Sequence, residues 1–123
     1  KLSLHRVPGR ARVYNPGMVA TDVLPAMVGR IVSQFAPEQV ILFGSHARGD
    51  AGPDSDLDLI VVMADEATDR RRTAIAIRVA LADAPCALDI LVTTPAELTR
   101  RREVNGSVFR PAMAEGRVVY ERA

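Results

Sequence analysis

Two aspartates open a run of apolar residues that is otherwise typical of a buried β-strand. Asp56 and Asp58 lead into the apolar residues 59–62. Because alternate side chains of a strand point to the same face, the two carboxylates are expected side by side, about 6–7 Å apart along the strand. Two like charges so placed repel each other, and burying them without partners costs several kcal/mol. A divalent cation removes the conflict, since Mg²⁺ is held by carboxylates together with substrate phosphates.

A third acid and a turn of small residues accompany this pair. Asp89 lies at the start of a later apolar run, where a lone carboxylate needs a partner, and Gly44-Ser45 directly follows a predicted buried strand. Glycine lets backbone N–H groups approach a phosphate closely, and a helix start favours anions. The Ser45 hydroxyl and the Arg48 guanidinium are suited to phosphate oxygens. Any single acid is equally compatible with a solvated turn, but the set favours a site for metal and a nucleoside triphosphate.

Helical and strand patterns alternate along the chain. Apolar residues at a spacing of three and four, with capping residues before them, predict helices over residues 21–36, 68–83 and 94–115. Apolar and β-branched runs predict strands over residues 39–43, 57–63, 87–92 and 117–121. This alternation indicates an α/β layered domain. We expect one domain over residues 18–123, preceded by a basic arm over residues 1–17.

Composition excludes several classes of protein. The 123 residues are 48% hydrophobic and 25% charged, with a net charge of +1, which argues against a surface devoted to nucleic acid or to an anionic membrane. No apolar stretch is long enough to span a bilayer. The single cysteine, Cys86, fits a reducing compartment and is interpreted as a packed side chain rather than a nucleophile. A cytoplasmic location is therefore expected.

The amino-acid sequence around these residues resembles that of a known family. Gly44-Ser45, ten further residues and then Asp56-x-Asp58 are similar to the signature of the DNA polymerase beta nucleotidyltransferase superfamily. The segments 43–50 and 54–60 resemble in particular its small stand-alone members, the minimal nucleotidyltransferases, which are usually paired with a HEPN-domain protein. The resemblance extends over residues 20–121.

The resemblance implies a polymerase beta-like α/β fold, with a small mixed sheet flanked by helices. It also implies two Mg²⁺ ions and ATP as the substrate. By this likeness, three carboxylates hold the metal ions and carry catalysis, and one of them, Asp89, helps to deprotonate the acceptor: these are Asp56, Asp58 and Asp89. The nucleotide would be bound by Gly44, Ser45 and Arg48.

The acceptor is expected to be a partner macromolecule, because a chain of 123 residues leaves no room for an acceptor domain. By resemblance, the protein is expected to transfer AMP from ATP to a hydroxyl, that of a tyrosine, on a cognate HEPN ribonuclease toxin, and so to act as an antitoxin. The alternative is a non-enzymatic antitoxin that binds and masks the toxin. Modification of a small molecule is a third hypothesis. Neither a membrane nor direct binding to nucleic acid is expected.

Two further features carry expectations of their own. The arginine runs 70–72 and 100–102 are interpreted as the first turns of helices. Positive charge there opposes the helix dipole. The arginines are therefore expected either on a solvated helix face or near an acidic partner or nucleotide phosphates. His46, between the two halves of the motif, is expected at the surface or in a capping role rather than in catalysis.

Overall fold

The computed structural model describes residues 23–49, 56–101 and 116–123, and its elements alternate as the sequence predicts. The helices are α1 (Val23–Phe35), α2 (Ser45–Arg48), α3 (Arg70–Ala80) and α4 (Pro95–Arg101). The strands are β1 (Gln39–Phe43), β2 (Leu57–Val62), β3 (Leu88–Thr93) and β4 (Arg117–Glu121). The expected arm over residues 1–17, the capping residues 21–22 and the expected helix over residues 102–115 lie outside the described residues.

The four strands form one mixed sheet in the order β3-β2-β1-β4. β1 pairs antiparallel with β2, where Leu42 lies opposite Leu59, and antiparallel with β4, where the register shifts between Val40 and Ile41. β2 and β3 are parallel, and α3 makes the crossover between them. The predicted small mixed sheet flanked by helices is therefore confirmed.

One face of the sheet carries the larger part of the core. On α1, four buried side chains recur at the spacing of an amphipathic helix: Leu24, Met27, Val28 and Ile31. They share a core cluster with alternate strand residues, among them Leu59 and Val61, and with Ile77 of α3. Each fully buried side chain of this size contributes about 1.5–3 kcal/mol to stability. This burial fixes the face of β2 that points inward, and therefore also the face that its intervening residues share.

The opposite face is covered near one end by α4, through Leu98, which packs with Ile41, Ile60 and Val62. The expected cap at Thr94 is present, because its hydroxyl oxygen accepts a hydrogen bond from the Glu97 backbone N–H at 3.4 Å. The acids of the predicted site belong to this second face, since Asp58 alternates in phase with Ile60 and Val62. None of the helices within the described ranges has the length and apolar character needed to cross a membrane.

The two arginine runs have different positions in their helices. Arg70 opens α3 as expected, but Arg100 and Arg101 lie in the last turn of α4, because that helix already begins at Pro95. The expectation that residues 100–102 open a helix was therefore wrong, and positive charge is favourable where it is found. A buried carboxylate, Glu97, pairs with Arg100, with Arg101 at 2.5 Å and with Arg70 at 3.2 Å.

Candidate functional site

Two acids that are distant in sequence are direct neighbours in the sheet. Asp58 of β2 lies opposite Asp89 of β3 in the parallel ladder. Neighbouring strands are about 4.7–4.9 Å apart, and side chains at paired positions leave the same face. The site is therefore built by the register of the sheet, which brings the carboxylates of the two strands together at the mouth of β2.

The charges of this cluster act on Asp58. Partial burial raises the pKa of Asp58 to about 6, and the negative charges of Asp89 and Asp56 add to the rise, while the Arg48 guanidinium opposes it. The predicted site residues thus influence one another electrostatically, although Arg48 itself is exposed. Within the described residues, no set of three acidic, histidine or cysteine side chains is arranged as a ready cation site. The three carboxylates lie near one another, but they do not surround a common position for a cation.

Gly44 forms the wall of the site beside Asp58. Its φ is +75° and its ψ is −156°, a combination that only glycine adopts readily. A Cβ atom at this position would overlap Oδ2 of Asp58. The carbonyl of Gly44 then accepts hydrogen bonds from the backbone N–H groups of Ala47 and Arg48, each at 3.1 Å, which begins α2. The glycine therefore lets β1 turn into α2 in contact with the carboxylate, and Ser45 follows as the first residue of that helix.

Arg78 is a member of this neighbourhood that the sequence analysis missed. Its Nη2 lies 3.8 Å from Oδ1 of Asp89 and 3.4 Å from the carbonyl oxygen of Ile90, to which it donates a hydrogen bond. Both charged side chains are about half exposed. One signal was available: Arg78 is in the last turn of α3, and a crossover helix packs beside the strand that follows it.

His46 is buried, with 1% of its surface exposed, so its expected surface position was wrong. The physical reason is that α2 folds back against β1 and β2, which places its second residue inward. Cys86 is partly buried beside the core, as expected for a packed residue. Burial, with a smaller contribution from the charge of Asp56, raises the pKa of its thiol. That direction is opposite to the one an activated nucleophile requires.

The donor chemistry of the acids fits a hard divalent cation. Three carboxylates offer oxygen ligands. Burial and the neighbouring negative charges raise the pKa of Asp58, and a bound cation would offset both penalties on its charged form. Such an ion would also draw phosphate oxygens to the same place. The residues present therefore suit Mg²⁺, with Asp56, Asp58 and Asp89 as its candidate ligands.

Comparison with known families decides the broad class of the protein. A family model described as a nucleotidyltransferase domain matches residues 27–108, two thirds of the chain. The chain belongs to this family. The match spans the Gly44-Ser45 turn and all three acids, so the resemblance noted in the sequence is confirmed at the level of the family. No curated protein matches the sequence of this nucleotidyltransferase domain.

Solved structures share the fold of this nucleotidyltransferase domain. A candidate nucleotidyltransferase from Sulfolobus solfataricus is 20% identical, with a TM-score of 0.57 over 98% of this chain and 88% of that one. A toxin–antitoxin structure with AMP-PNP is 20% identical, with a TM-score of 0.51 over 79% of this chain and 73% of that one. A mutant MntA-HpeT toxin–antitoxin structure is 16% identical, with a TM-score of 0.53 over 79% and 71%. These likenesses show a common fold.

Proposed function

We propose that this nucleotidyltransferase domain is a Mg²⁺-dependent protein adenylyltransferase that acts as an antitoxin. It transfers AMP from ATP to a hydroxyl, that of a tyrosine, on a HEPN ribonuclease toxin. The observation that carries the proposal is the pairing of Asp58 with Asp89 in the ladder, with Gly44 packed directly on the carboxylate of Asp58. In this proposal the turn that holds the triphosphate and the acids that hold the metal share one wall, as transfer from a metal-bound triphosphate requires. We also propose that the protein acts in the cytoplasm.

The proposed reaction exchanges one bond to phosphorus for another. The acceptor oxygen forms a bond to the α-phosphorus of ATP, the bond from that phosphorus to the bridging oxygen breaks, and pyrophosphate leaves. The proton of the acceptor hydroxyl passes to the carboxylate of Asp89. When bound, Mg²⁺ neutralises the charge of the triphosphate and of the departing pyrophosphate.

The remaining residues position and hold the nucleotide. Gly44 and Ser45 bring backbone N–H groups close to the phosphates, because glycine leaves no side chain in the way. Arg48 lies near enough to lower the pKa of Asp58, so its guanidinium can also balance phosphate charge. Asp56 and Asp58 serve as ligands to the cation. The protein contributes mainly orientation and charge neutralisation, which is what nucleotidyl transfer needs.

The proposed partner rests on the kind of complexes in which this fold recurs. Two of the three solved structures described above are toxin–antitoxin assemblies, and one of them was solved with AMP-PNP. The sequence of residues 43–50 and 54–60 resembles that of the minimal nucleotidyltransferases that are paired with HEPN proteins. A toxin partner that supplies its own hydroxyl is therefore the acceptor we propose.

The test is a transfer reaction with purified components. The HEPN toxin is incubated with this protein, ATP and Mg²⁺, and its intact mass is measured. We expect the toxin to gain one or more AMP units, and we expect Asp56→Asn and Asp58→Asn to abolish the gain. Asp83→Asn is the matched control, because Asp83 is an exposed aspartate that pairs with Arg30 rather than with the site. A toxin of unchanged mass would contradict the proposed transfer.

The same variants separate catalysis from masking. A masking antitoxin would still neutralise the toxin after Asp56→Asn and Asp58→Asn, since neither change removes the bulk of the binding surface. An enzyme would lose neutralisation together with transfer. Growth rescue at native expression level, measured beside the intact mass of the toxin, therefore decides between the two.

A further inference from the structure

The outer side of α3 presents an unusual mixture of side chains, which we call the α3 face: Arg71, Arg72, Ile75, Arg78 and Val79. At about 100° per residue these positions fall within about 120° of the helix circumference. The core side of the same helix lies elsewhere, at Ile77, which is fully buried. The α3 face is therefore a continuous stripe rather than a scatter of unrelated residues.

Apolar side chains at the centre of the α3 face are exposed. Ile75 is 53% exposed and Val79 is 70% exposed, and they lie one helical turn apart. In the described ranges the other large apolar side chain in this condition is Val118, on β4. β-Branched residues are also weaker helix formers than alanine or leucine, so local helix stability does not account for them. An exposed apolar pair with a charged border is typical of an interaction surface.

The border of the α3 face is positively charged. Arg71 and Arg72 are exposed, and together with Asp69 and Ile75 they line an open groove of about 390 Å³. The carboxylate of Asp69 is engaged in capping the helix, where it accepts a hydrogen bond from the Arg72 backbone N–H at 3.1 Å. The groove is thus suited to an apolar side chain that is flanked by carboxylates.

The α3 face is connected to the acidic site by Arg78. This residue reaches Asp89, and β3, which carries Asp89, is the edge strand of the sheet. One end of the α3 face therefore lies beside Asp89, the carboxylate that accepts the proton of the acceptor hydroxyl in the proposed function. A protein lying along α3 would bring its own side chains to the acceptor side of the site.

We propose that the α3 face is the docking surface for the protein that carries the acceptor hydroxyl, and that this partner offers an acidic surface around an apolar side chain. The proposal rests on the proposed function for its acceptor, and on charge complementarity and position for the surface. A second copy of this chain is disfavoured as the occupant, because its own α3 face would oppose arginines with arginines. A nucleic acid would match the arginines but not the exposed pair Ile75 and Val79.

The test uses substitutions at exposed positions that are outside the catalytic machinery. Ile75→Asp and Val79→Asp place negative charge at the centre of the face, and Arg71→Glu reverses its border. Val118→Asp is the matched control, since Val118 is an exposed apolar residue, 42% exposed, on the strand at the other edge of the sheet. Affinity for the purified toxin is measured by calorimetry without nucleotide, and KM and kcat are measured for AMP transfer.

We expect each substitution on the α3 face to weaken toxin binding about tenfold or more, as is typical of central interface positions. The KM for toxin should rise by a similar factor, while the KM for ATP and the kcat at saturating toxin stay within about twofold of wild type. Val118→Asp should leave all of these values unchanged. Thermal unfolding of every variant checks that the fold is kept.

The outcomes distinguish this inference from the proposed function. If the wild-type protein binds the toxin but transfers no AMP, the proposed function fails, and the binding data alone judge the α3 face. If Ile75→Asp and Val79→Asp bind the toxin as tightly as wild type, the inference is overturned. It is also overturned if these changes alter the sedimentation of the chain alone, which would make the face a self-interface, or if they abolish binding to single-stranded RNA while toxin binding persists.

Discussion

Gly44 is packed so closely on Asp58 that the glycine has no space for a side chain. Its Cα faces the carboxylate, and a Cβ atom built there would overlap Oδ2. The contact joins the end of β1 to the beginning of β2, where Phe43 and Asp58 are opposite each other in the antiparallel ladder. The turn and the acid therefore form one unit, and a change in either is expected to displace the other.

Gly44→Ala is expected to abolish ATP binding and to destabilise the fold by about 1–3 kcal/mol, because the position needs both a positive φ and empty space. Calorimetry with ATP and chemical denaturation measure the two effects. Gly49→Ala is the first control, since Gly49 has φ +86° but nothing within 4 Å of an added Cβ. It should lose stability through backbone strain and keep ATP binding.

Gly29→Ala is a second control for the same prediction. Gly29 lies inside α1 with open space around an added Cβ, so alanine there is expected to stabilise the protein by about 0.5–1 kcal/mol. If Gly44→Ala bound ATP as well as Gly49→Ala does, the contact with Asp58 would have no functional role.

In the metal-free protein, the contribution of Asp58 to stability is expected to fall as pH rises from 4 to 7. The native pKa of Asp58, about 6, lies above its value of 3.8 in the unfolded chain, so the native state binds the extra proton between these values. Stability then falls with pH, because the unfolded state holds fewer protons in this window. The difference between a pKa of about 6 and one of 3.8 corresponds to about 3 kcal/mol, which we reduce to about 1–2 kcal/mol because solvent screens a half-buried group.

Asp58→Asn should remove this pH dependence and raise the stability of the metal-free protein at pH 7. The pH dependence is measured as the denaturant midpoint at about pH 4.5, 6 and 7.5, in the presence of a chelator. Asp83→Asn should act in the opposite direction, because a hydrogen bond and the charge of Arg30 lower the pKa of Asp83. Its stabilising effect is present above the unfolded pKa and lost on acidification. A wild-type slope equal to that of Asp58→Asn would refute the assignment.

Addition of Mg²⁺ at pH 7.5 is expected to raise the melting temperature of the wild-type protein by several degrees. A ligand that binds only the native state stabilises it by about 2.7 kcal/mol at 100 times its Kd. Asp58→Asn should abolish the rise and Asp89→Asn should reduce it. Arg78→Met is the informative control, since it removes the 3.8 Å pair with Asp89 but keeps the carboxylate. Loss of the Mg²⁺ effect in Asp83→Asn would show that the response is not specific to the site.

Glu97→Gln is expected to destabilise the protein, because it leaves the side chains of Arg70, Arg100 and Arg101 around a neutral amide. The hydrogen bond from Arg101 contributes most to the lowered pKa of Glu97. The stabilisation should therefore be present above pH 4.5 and disappear as pH falls further. Denaturation at pH 7 and at low pH measures the difference, with the exposed Glu121→Gln as control. An unchanged midpoint at pH 7 would show that the cluster contributes nothing.

Much of the sheet could be predicted from local patterns, since the strands around Leu59 and Ile90 are apolar and the helix of Ile31 has a clear period. The neighbourhood of Asp58 and Asp89 was inferred from their chemistry, because a lone acid such as Asp89 in an apolar run needs a partner, and a metal site at Asp56 and Asp58 would provide one. The fit of Gly44 against Asp58 followed only in part, since composition indicates a turn but not what the turn contacts.

The features that were missed depend on tertiary packing. Arg78 reaches Asp89 because the crossover helix lies along the edge strand, and its place in the last turn of that helix is the one feature that sets it apart from other exposed arginines. His46 is buried because the four-residue helix α2 folds back on the sheet. A polar residue in a turn-rich segment of the sequence gives no indication of such burial. Arg100 and Arg101 were expected at the start of a helix. The helix begins at Pro95, however, and the two arginines lie in its last turn, where both pair with Glu97.

The parallel pairing of β2 and β3 has a consequence for the order in which the protein becomes competent. The contact between Gly44 and Asp58 belongs to an antiparallel pair of successive strands, whereas Asp89 joins them only after the crossover through α3 has closed. Such non-local closure costs chain entropy and is typically slow. A chain arrested with β3 undocked would already hold the turn and the first two acids but not the third. Catalysis would therefore be silent in incompletely folded molecules, and activity would report on a finished sheet.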